Sequence, residues 1–286
     1  MTDAGPLITR LEQLLDRVEP LLPAAPEPVD WQAPAFRWLR RPAGGVLRGV
    51  HRIAPTALAD LCHVDDQKAQ LERNTRQFVA GLPANNALLW GPRGTGKSSL
   101  VRALANDIRE QGLRIVEVTP DALGDIHEIC DLLAERPERF ILFCDDLSFD
   151  SADPSYKALK AALDGSLQQL PDNVLIYATS NRRHLLPESI ADNVDTTVAE
   201  NELHYGDAVE EKISLSERFG LWVSFHPFRQ EAYLDIVAHS LARLGVSGYP
   251  QDTVRREALR WALQHGSRSG RAAWQFARDY AGRSKL

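Results

Sequence analysis

Cysteine is scarce in this 286-residue chain. The three present, Cys62, Cys130 and Cys144, are odd in number and show no metal-ligand spacing, which argues against a disulfide framework or a cysteine-based metal centre. Cys144 closes an apolar run and reads as a small core residue. Long hydrophobic runs are also missing, since none approaches the roughly 18 apolar residues that a membrane span needs. Met1-Thr2-Asp3 lacks the basic start and apolar core of a secretory signal, so a cytoplasmic protein with no membrane partner is the expectation. Positive charge is not in surplus. Lys and Arg number 33 against 39 Asp and Glu, a net charge of −6, and the whole chain has no electrostatic pull towards nucleic acid or acidic lipid. No internal repeat or long low-complexity tract occurs. A hydrophobic share of 44% with 25% charged residues leaves an ordinary globular protein, with material for one large core or two smaller ones.

Against that background one stretch stands out. Gly91-Pro92-Arg93-Gly94-Thr95-Gly96-Lys97-Ser98 fits G-x-x-x-x-G-K-[ST] at every fixed position. The apolar run Ala87-Leu88-Leu89-Trp90 before it reads as a buried strand. After it, Leu100, Leu104 and Ile108 share one face of a helix from Ser98 to about Gln111, closed by Gly112. Strand, glycine-rich loop and helix form the context in which this pattern cradles phosphate. The glycines let successive N–H groups turn towards phosphate oxygens, and the helix start adds partial positive charge. Lys97 is placed to reach the β- and γ-phosphates and Ser98 to coordinate Mg²⁺. Gly91, Pro92, Arg93, Gly94, Thr95, Gly96, Lys97, Ser98 and Ser99 are the expected nucleotide-binding residues. No N-K-x-D or T-K-x-D guanine motif follows, which turns the choice of nucleotide towards ATP.

Along the chain, Ile8, Leu11, Leu15, Val18 and Leu22 predict an amphipathic helix over 8–22. Pro23, Pro26, Pro28 and Pro34 then make a linker. From Trp31 to Ala59 there is no acidic residue, while Arg37, Arg40, Arg41, Arg48 and Arg52 occur with Phe36 and Trp38 among them. This basic arm reads either as a nucleic-acid contact or as an arm packed on the next domain with its arginines solvated. A helix is expected over 65–80. Beyond the glycine-rich loop, strands at 114–118, 140–144, 174–178 and 221–225 alternate with helices at 121–135 and 155–170, the pattern of a parallel sheet covered on both faces. From Pro227 onwards only helices are expected, at about 229–244, 251–265 and 269–281. The division is an N-terminal helix, linker and arm over 1–59, an α/β nucleotide-binding domain over 60–226 and a small helical lid over 227–286.

Phe140-Ile141-Leu142-Phe143-Cys144-Asp145-Asp146 is an apolar strand ending in two carboxylates, roughly 50 residues after the phosphate loop. There Asp145 would hold Mg²⁺ and Asp146 would polarise the attacking water as general base; the plainer reading is an Asp pair in a turn. The next strand ends Ala178-Thr179-Ser180-Asn181-Arg182, and here the chain resembles the AAA+ ATPases. The resemblance makes Asn181 the sensor that orients water against the γ-phosphate, with Ser180 or Thr179 as substitutes. Ser216-Glu217-Arg218-Phe219-Gly220 resembles the box whose arginine enters a neighbouring subunit's site, so Arg218 is expected to act in trans within a homo-oligomer; a surface ion pair is its alternative. Gly266-Ser267-Arg268-Ser269-Gly270-Arg271 resembles the start of the lid helix whose arginine senses the γ-phosphate in cis, with Arg271 preferred over Arg268. Leu61-Cys62-His63-Val64-Asp65 occupies the place of the family's adenine contact, or is simply a helix start capped by Asp65.

The resemblance spans about residues 60–281. It implies a P-loop NTPase of AAA+ type: a five-stranded parallel sheet of order 5-1-4-3-2 between helices, then the helical lid. The wording Cys-Asp-Asp-Leu-Ser-Phe, Ala-Thr-Ser-Asn-Arg-Arg-His-Leu and Ser-Glu-Arg-Phe-Gly-Leu-Trp is similar to a bacterial branch known only as a domain of unknown function. The implied activity is ATP hydrolysis with Mg²⁺, catalysed by Lys97, Asp146, Asn181, Arg218 and Arg271 with Ser98 and Asp145 on the metal. The client, protein or nucleic acid, is not specified. Most relatives end the second motif in Asp-Glu, so Asp146 makes a slow or non-hydrolysing switch the alternative, with a DNA-associated loader as its setting. The loop after the second strand, Thr119 to Gly124, lacks the aromatic-apolar-Gly signature of polypeptide-threading members. The acidic stretch 191–217 reads as a solvated excursion or as a docking surface for a basic partner.

Overall fold

The computed structural model describes residues 28–41, 44–148, 154–164, 170–181, 197–199, 202–204 and 217–284, together with Gly5 and Arg10. The helix expected over 8–22 lies outside these residues apart from Arg10, and most of the acidic stretch 191–217 lies outside them too.

The sheet is built on β3 (Ala87–Trp90), β4 (Leu113–Glu117), β5 (Arg139–Cys144), β6 (Val174–Ser180) and β9 (Leu221–Ser224). Their spatial order is β9-β3-β6-β5-β4, all parallel, which is the expected 5-1-4-3-2. Among the described residues the sheet has seven strands, however, and not five. β1 (Ala35–Arg41) and β2 (Gly44–Val50) form an antiparallel hairpin, and β1 joins the free edge of β4 in parallel. The basic arm is therefore part of the sheet. The reason lies in its alternation: Phe36 and Trp38 are buried on one face while Arg37 points outward between them.

Polar contacts fix the hairpin. The Trp38 indole Nε1 donates to Asp125 Oδ2 at 2.9 Å, and Arg40 Nε meets the same oxygen at 2.9 Å. Arg37 pairs with Glu117 at 2.6 Å, and the Gly45 amide donates to Glu128. Gly45 has to be glycine, because a Cβ there would lie 1.6 Å from the Trp38 ring.

Helices cover both faces. α1 (Asp65–Val79) and α2 (Lys97–Ile108) share one apolar core with Leu89, Ile141 and Tyr177. α3 (Ile126–Leu133) and α4 (Pro154–Asp164) cover the other, with Phe36, Trp38, Phe140 and Leu142. The single helix expected over 121–135 is shortened. Pro120–Asp125 forms a 3₁₀ turn first, and Asp125, at the turn's end, is the residue that receives Trp38 and Arg40. Cys130 and Cys144 are free and buried, and burial pushes both thiols up to about 12. Within the acidic stretch, β7 (Thr197–Ala199) and β8 (Glu202–His204) pair antiparallel.

The last part is helical. α5 (Gln230–Arg243), α6 (Gln251–Gln264) and α7 (Gly270–Arg283) close around their own core of Tyr233, Leu241, Ala258 and Phe276. Phe228 packs against this core and against the sheet domain. Among the described residues no helix is long and apolar enough to cross a membrane.

Candidate nucleotide site

The loops that follow β3, β5 and β6 leave the carboxyl ends of neighbouring parallel strands, where α/β sheets hold their ligands. This brings Gly91–Ser98, Asp145–Asp146 and Asn181 into one place. Gly91 adopts φ +137, and a Cβ there would come 2.1 Å from the Phe225 carbonyl oxygen. Gly96 stands at the start of α2 with φ +106 and open space where a side chain would be. The α2 amides are thus left uncovered at the positive end of the helix.

Lys97 is buried, with 6% of its surface exposed. Its Nζ donates to the carbonyls of Gly91 at 2.6 Å and Pro92 at 2.8 Å and to Asn181 Oδ1 at 3.2 Å. Burial lowers its pKa from 10.5 to about 8. Asp146 and Asp145 oppose the fall, and Arg271 and Arg93 add to it. The ammonium is held by neutral dipoles with further cations nearby, an arrangement that favours an incoming polyanion.

Asp145 is half-buried and held by three donors. Ser98 Oγ lies 2.5 Å and Thr179 Oγ1 2.7 Å from its Oδ1, while Arg102 Nη2 lies 3.0 Å from its Oδ2. Asp146 takes a left-handed backbone, φ +56, one of the few conformations of this kind that Asp tolerates. Its amide donates to Thr179 Oγ1 at 2.8 Å, and its carboxylate accepts from Asn181 Nδ2 and lies 3.7 Å from Arg93. Asn181 therefore bridges Lys97 and Asp146. Its neighbours have other work: Thr179 orients the two aspartates, and Ser180 Oγ donates to the Leu147 carbonyl.

The lid reaches this site directly. The Gly270 amide donates to the Gly94 carbonyl at 2.8 Å, and Ser269 Oγ caps α7 by accepting from Ala272 N. Arg271 follows, close enough to Lys97 to lower its pKa, and Arg268 is exposed in the preceding loop. Arg218 is not brought to the cluster. β3 and β9 run in register from Ala87–Leu221 to Trp90–Ser224. Arg218 precedes one end of that pair and Gly91 follows the other, with about 10 Å of strand between. Val64 is buried on the sheet side and Leu61 half-buried beside it, while Cys62 packs on the lid. Asp65 is the first helical residue and pairs with Lys68, so it does not cap α1.

Sequence reasoning missed Arg102 and the tie between Gly270 and Gly94. Arg102 follows Ser98 by four residues, a spacing that puts both on one helix face; the lid contact has no local signal. A hydroxyl and a carboxylate 2.5 Å apart are hard oxygen donors, suited to Mg²⁺ shared with phosphates. No cluster of three or more His, Cys, Asp or Glu occurs among the described residues. Glycine-rich cradle, buried lysine and this oxygen pair together fit a Mg²⁺-bound triphosphate.

The fold is similar to that of known AAA+ proteins. The Thermotoga maritima RuvB Holliday junction branch migration motor superposes with a TM-score of 0.54 and 17% identity, over 82% of this chain and 68% of that one. The Aeropyrum pernix ORC1 protein in complex with DNA gives 0.55 and 17%, over 81% and 62%. The replication factor C large subunit of Staphylothermus marinus is 43% identical over 65 residues, 22% of this chain and only 15% of that protein's length. The family model described as "Protein of unknown function (DUF815)" matches residues 31–284. The chain belongs to this DUF815 family, and it has the AAA+ P-loop fold.

Proposed function

We propose that this protein binds ATP with Mg²⁺ and hydrolyses it to ADP and phosphate, with its site completed by a second copy of the chain. The observation that carries the reading is the Asn181 side chain, which joins the phosphate-loop lysine to the Asp146 carboxylate. A water held at this bridge faces a γ-phosphate on one side and a carboxylate on the other. Lys97 neutralises β/γ charge, Asp146 accepts the proton of the attacking water, and Asn181 orients that water. Ser98 and Asp145 would hold Mg²⁺, whose charge stabilises the phosphate oxygens. Arg271, at the start of the lid helix, meets the γ-phosphate in cis. Arg218 lies at the far end of β9 from its own loop, which supports a role in a neighbour's site. In this reading the working units are the sheet domain over 60–226 and the lid over 227–286, with the hairpin of segment 1–59 added to the sheet.

Phosphate release from Mg·ATP tests the proposal: turnover is expected, lost in Lys97→Ala, with activity per subunit rising as protein concentration rises. Absence of ATP binding would sink it. A slow switch is the second reading, favoured by the short Asp146 carboxylate and its engagement by Asn181. Tight binding without phosphate release would select it. The similar proteins described above support a DNA-associated setting. The basic arm supports that setting less than its composition implies, because Arg37 and Arg40 are neutralised by Glu117 and Asp125.

A further inference from the structure

We propose that the α6–α7 face of the lid binds single-stranded nucleic acid, with the Trp261–His265 pair as stacking platform and Arg260, Arg268 and Arg278 as phosphate contacts. This extends the ATPase reading by giving its client a chemical class.

Charge is unevenly divided along the chain. Residues 227–286 carry ten Lys and Arg against five Asp and Glu, whereas residues 1–226 carry 23 against 34. The lid is therefore a +5 body on an acidic protein. Most of its few carboxylates are already paired: Glu231 with Arg255, Asp235 with His63, and Glu257 and Asp279 with Arg283. Arg260, Arg268 and Arg278 are exposed and have no carboxylate partner among the described residues.

Arg278 lies on a shaped surface, and Arg260 and Arg268 flank its aromatic residues in sequence. An open cavity of about 500 Å³ is lined by Trp261, His265, Gln275, Arg278 and Asp279. Arg260 precedes Trp261 on α6, and Arg268 follows His265 in the connecting loop. The His265 ring stacks on Trp261 with centroids 4.6 Å apart and planes 17° from parallel. Its Nδ1 donates to the Trp261 carbonyl at 2.9 Å, which holds the ring in place. His265 is exposed, and the stack is extended by any flat ring laid on its outer side. The Trp261 indole N–H is buried and has no acceptor among the described residues.

Arginines around an aromatic platform are the chemistry by which single strands are held without sequence preference: guanidinium for the backbone and ring face for the bases. An acidic peptide would use the arginines but leave the stacked pair without a role. A duplex presents no free base face to it.

Fluorescence anisotropy with a labelled thymidylate oligomer of about 20 nucleotides tests this, using the full chain without ATP at about 50 mM salt. Binding is expected, weakening as salt rises with a slope of about −0.7 per phosphate contacted. Arg260→Glu with Arg278→Glu should lower affinity at least about tenfold, and His265→Ala about 5- to 100-fold. Each variant should keep the wild-type melting temperature and bind a fluorescent ATP analogue normally. That makes failure here separable from failure of the ATPase reading. No binding at low salt, or binding indifferent to these substitutions in folded protein, overturns the proposal. Binding of poly-glutamate with none of the oligomer also overturns it, in favour of an acidic protein partner.

Discussion

Raising the pH should weaken ATP binding through one residue. Lys97 is buried, and in the free protein its pKa is about 8, not 10.5. A phosphate group in the cradle supplies the missing counter-charge and returns the pKa towards its ordinary value. Binding is then linked to proton uptake once the pH passes about 8. If the bound value is restored to 10.5, affinity at about pH 9.5 is lower than at pH 7 by roughly 30-fold, or about 2 kcal/mol. The assay is equilibrium titration with a fluorescent ATP analogue from about pH 7 to 9.5. In Lys97→Met the affinity is low throughout and the slope is gone. Stability of the free protein should move the opposite way. The unfolded chain keeps its Lys97 proton up to about 10.5 while the folded one releases it from about 8. Within that window the unfolded state binds more protons, and stability rises with pH. A flat affinity profile between about pH 7 and 9.5 in the wild type would refute the first argument, and a stability that does not rise across the same window would refute the second.

Other outcomes follow from single contacts. Arg218→Ala should bind ATP normally and lose on the order of 10³-fold in turnover; mixing it with Lys97→Ala protein should restore part of the activity, since each variant supplies what the other lacks. Asp146→Asn keeps a side chain that tolerates the left-handed backbone and should fold normally, with phosphate release down at least about 100-fold. Asp145→Asn should abolish the gain in nucleotide affinity that Mg²⁺ gives, read by titration with and without EDTA. Gly45→Ala drives a methyl into the Trp38 ring and should cost about 1–3 kcal/mol in urea unfolding.

The parts of the site that were legible are those carried by short, chemically constrained strings. Gly91–Ser98 needs its glycines because the Phe225 carbonyl leaves no room for a side chain at Gly91 and Gly96 takes a left-handed backbone. Asp145 is readable because four apolar residues bring it to the end of a central strand. The hairpin was hidden for a different reason. Its composition of arginine and aromatic residues resembles a nucleic-acid arm, and only the registry of β1 on β4, with Glu117 and Asp125 opposite Arg37 and Arg40, shows that these two charges are neutralised. Arg102 was hidden by its ordinariness, as one arginine on an amphipathic helix; its role appears only when Asp145 is seen above it. The lid contact was illegible because two backbone groups make it, Gly270 N–H and Gly94 C=O, and no side chain records it.

That backbone contact makes the lid helix a lever. α7 runs 14 residues from Gly270 to Arg283, about 21 Å at 1.5 Å per residue, and its first amide is fastened to the Gly94 carbonyl of the glycine-rich loop. A tilt of about 5° imposed at Gly94 moves the far end of such a rod by about 2 Å. Arg278 and the Trp261–His265 cavity lie partway along it. A change in loop shape that tilted the helix would therefore be read as a displacement of ångström size at a surface remote from that loop.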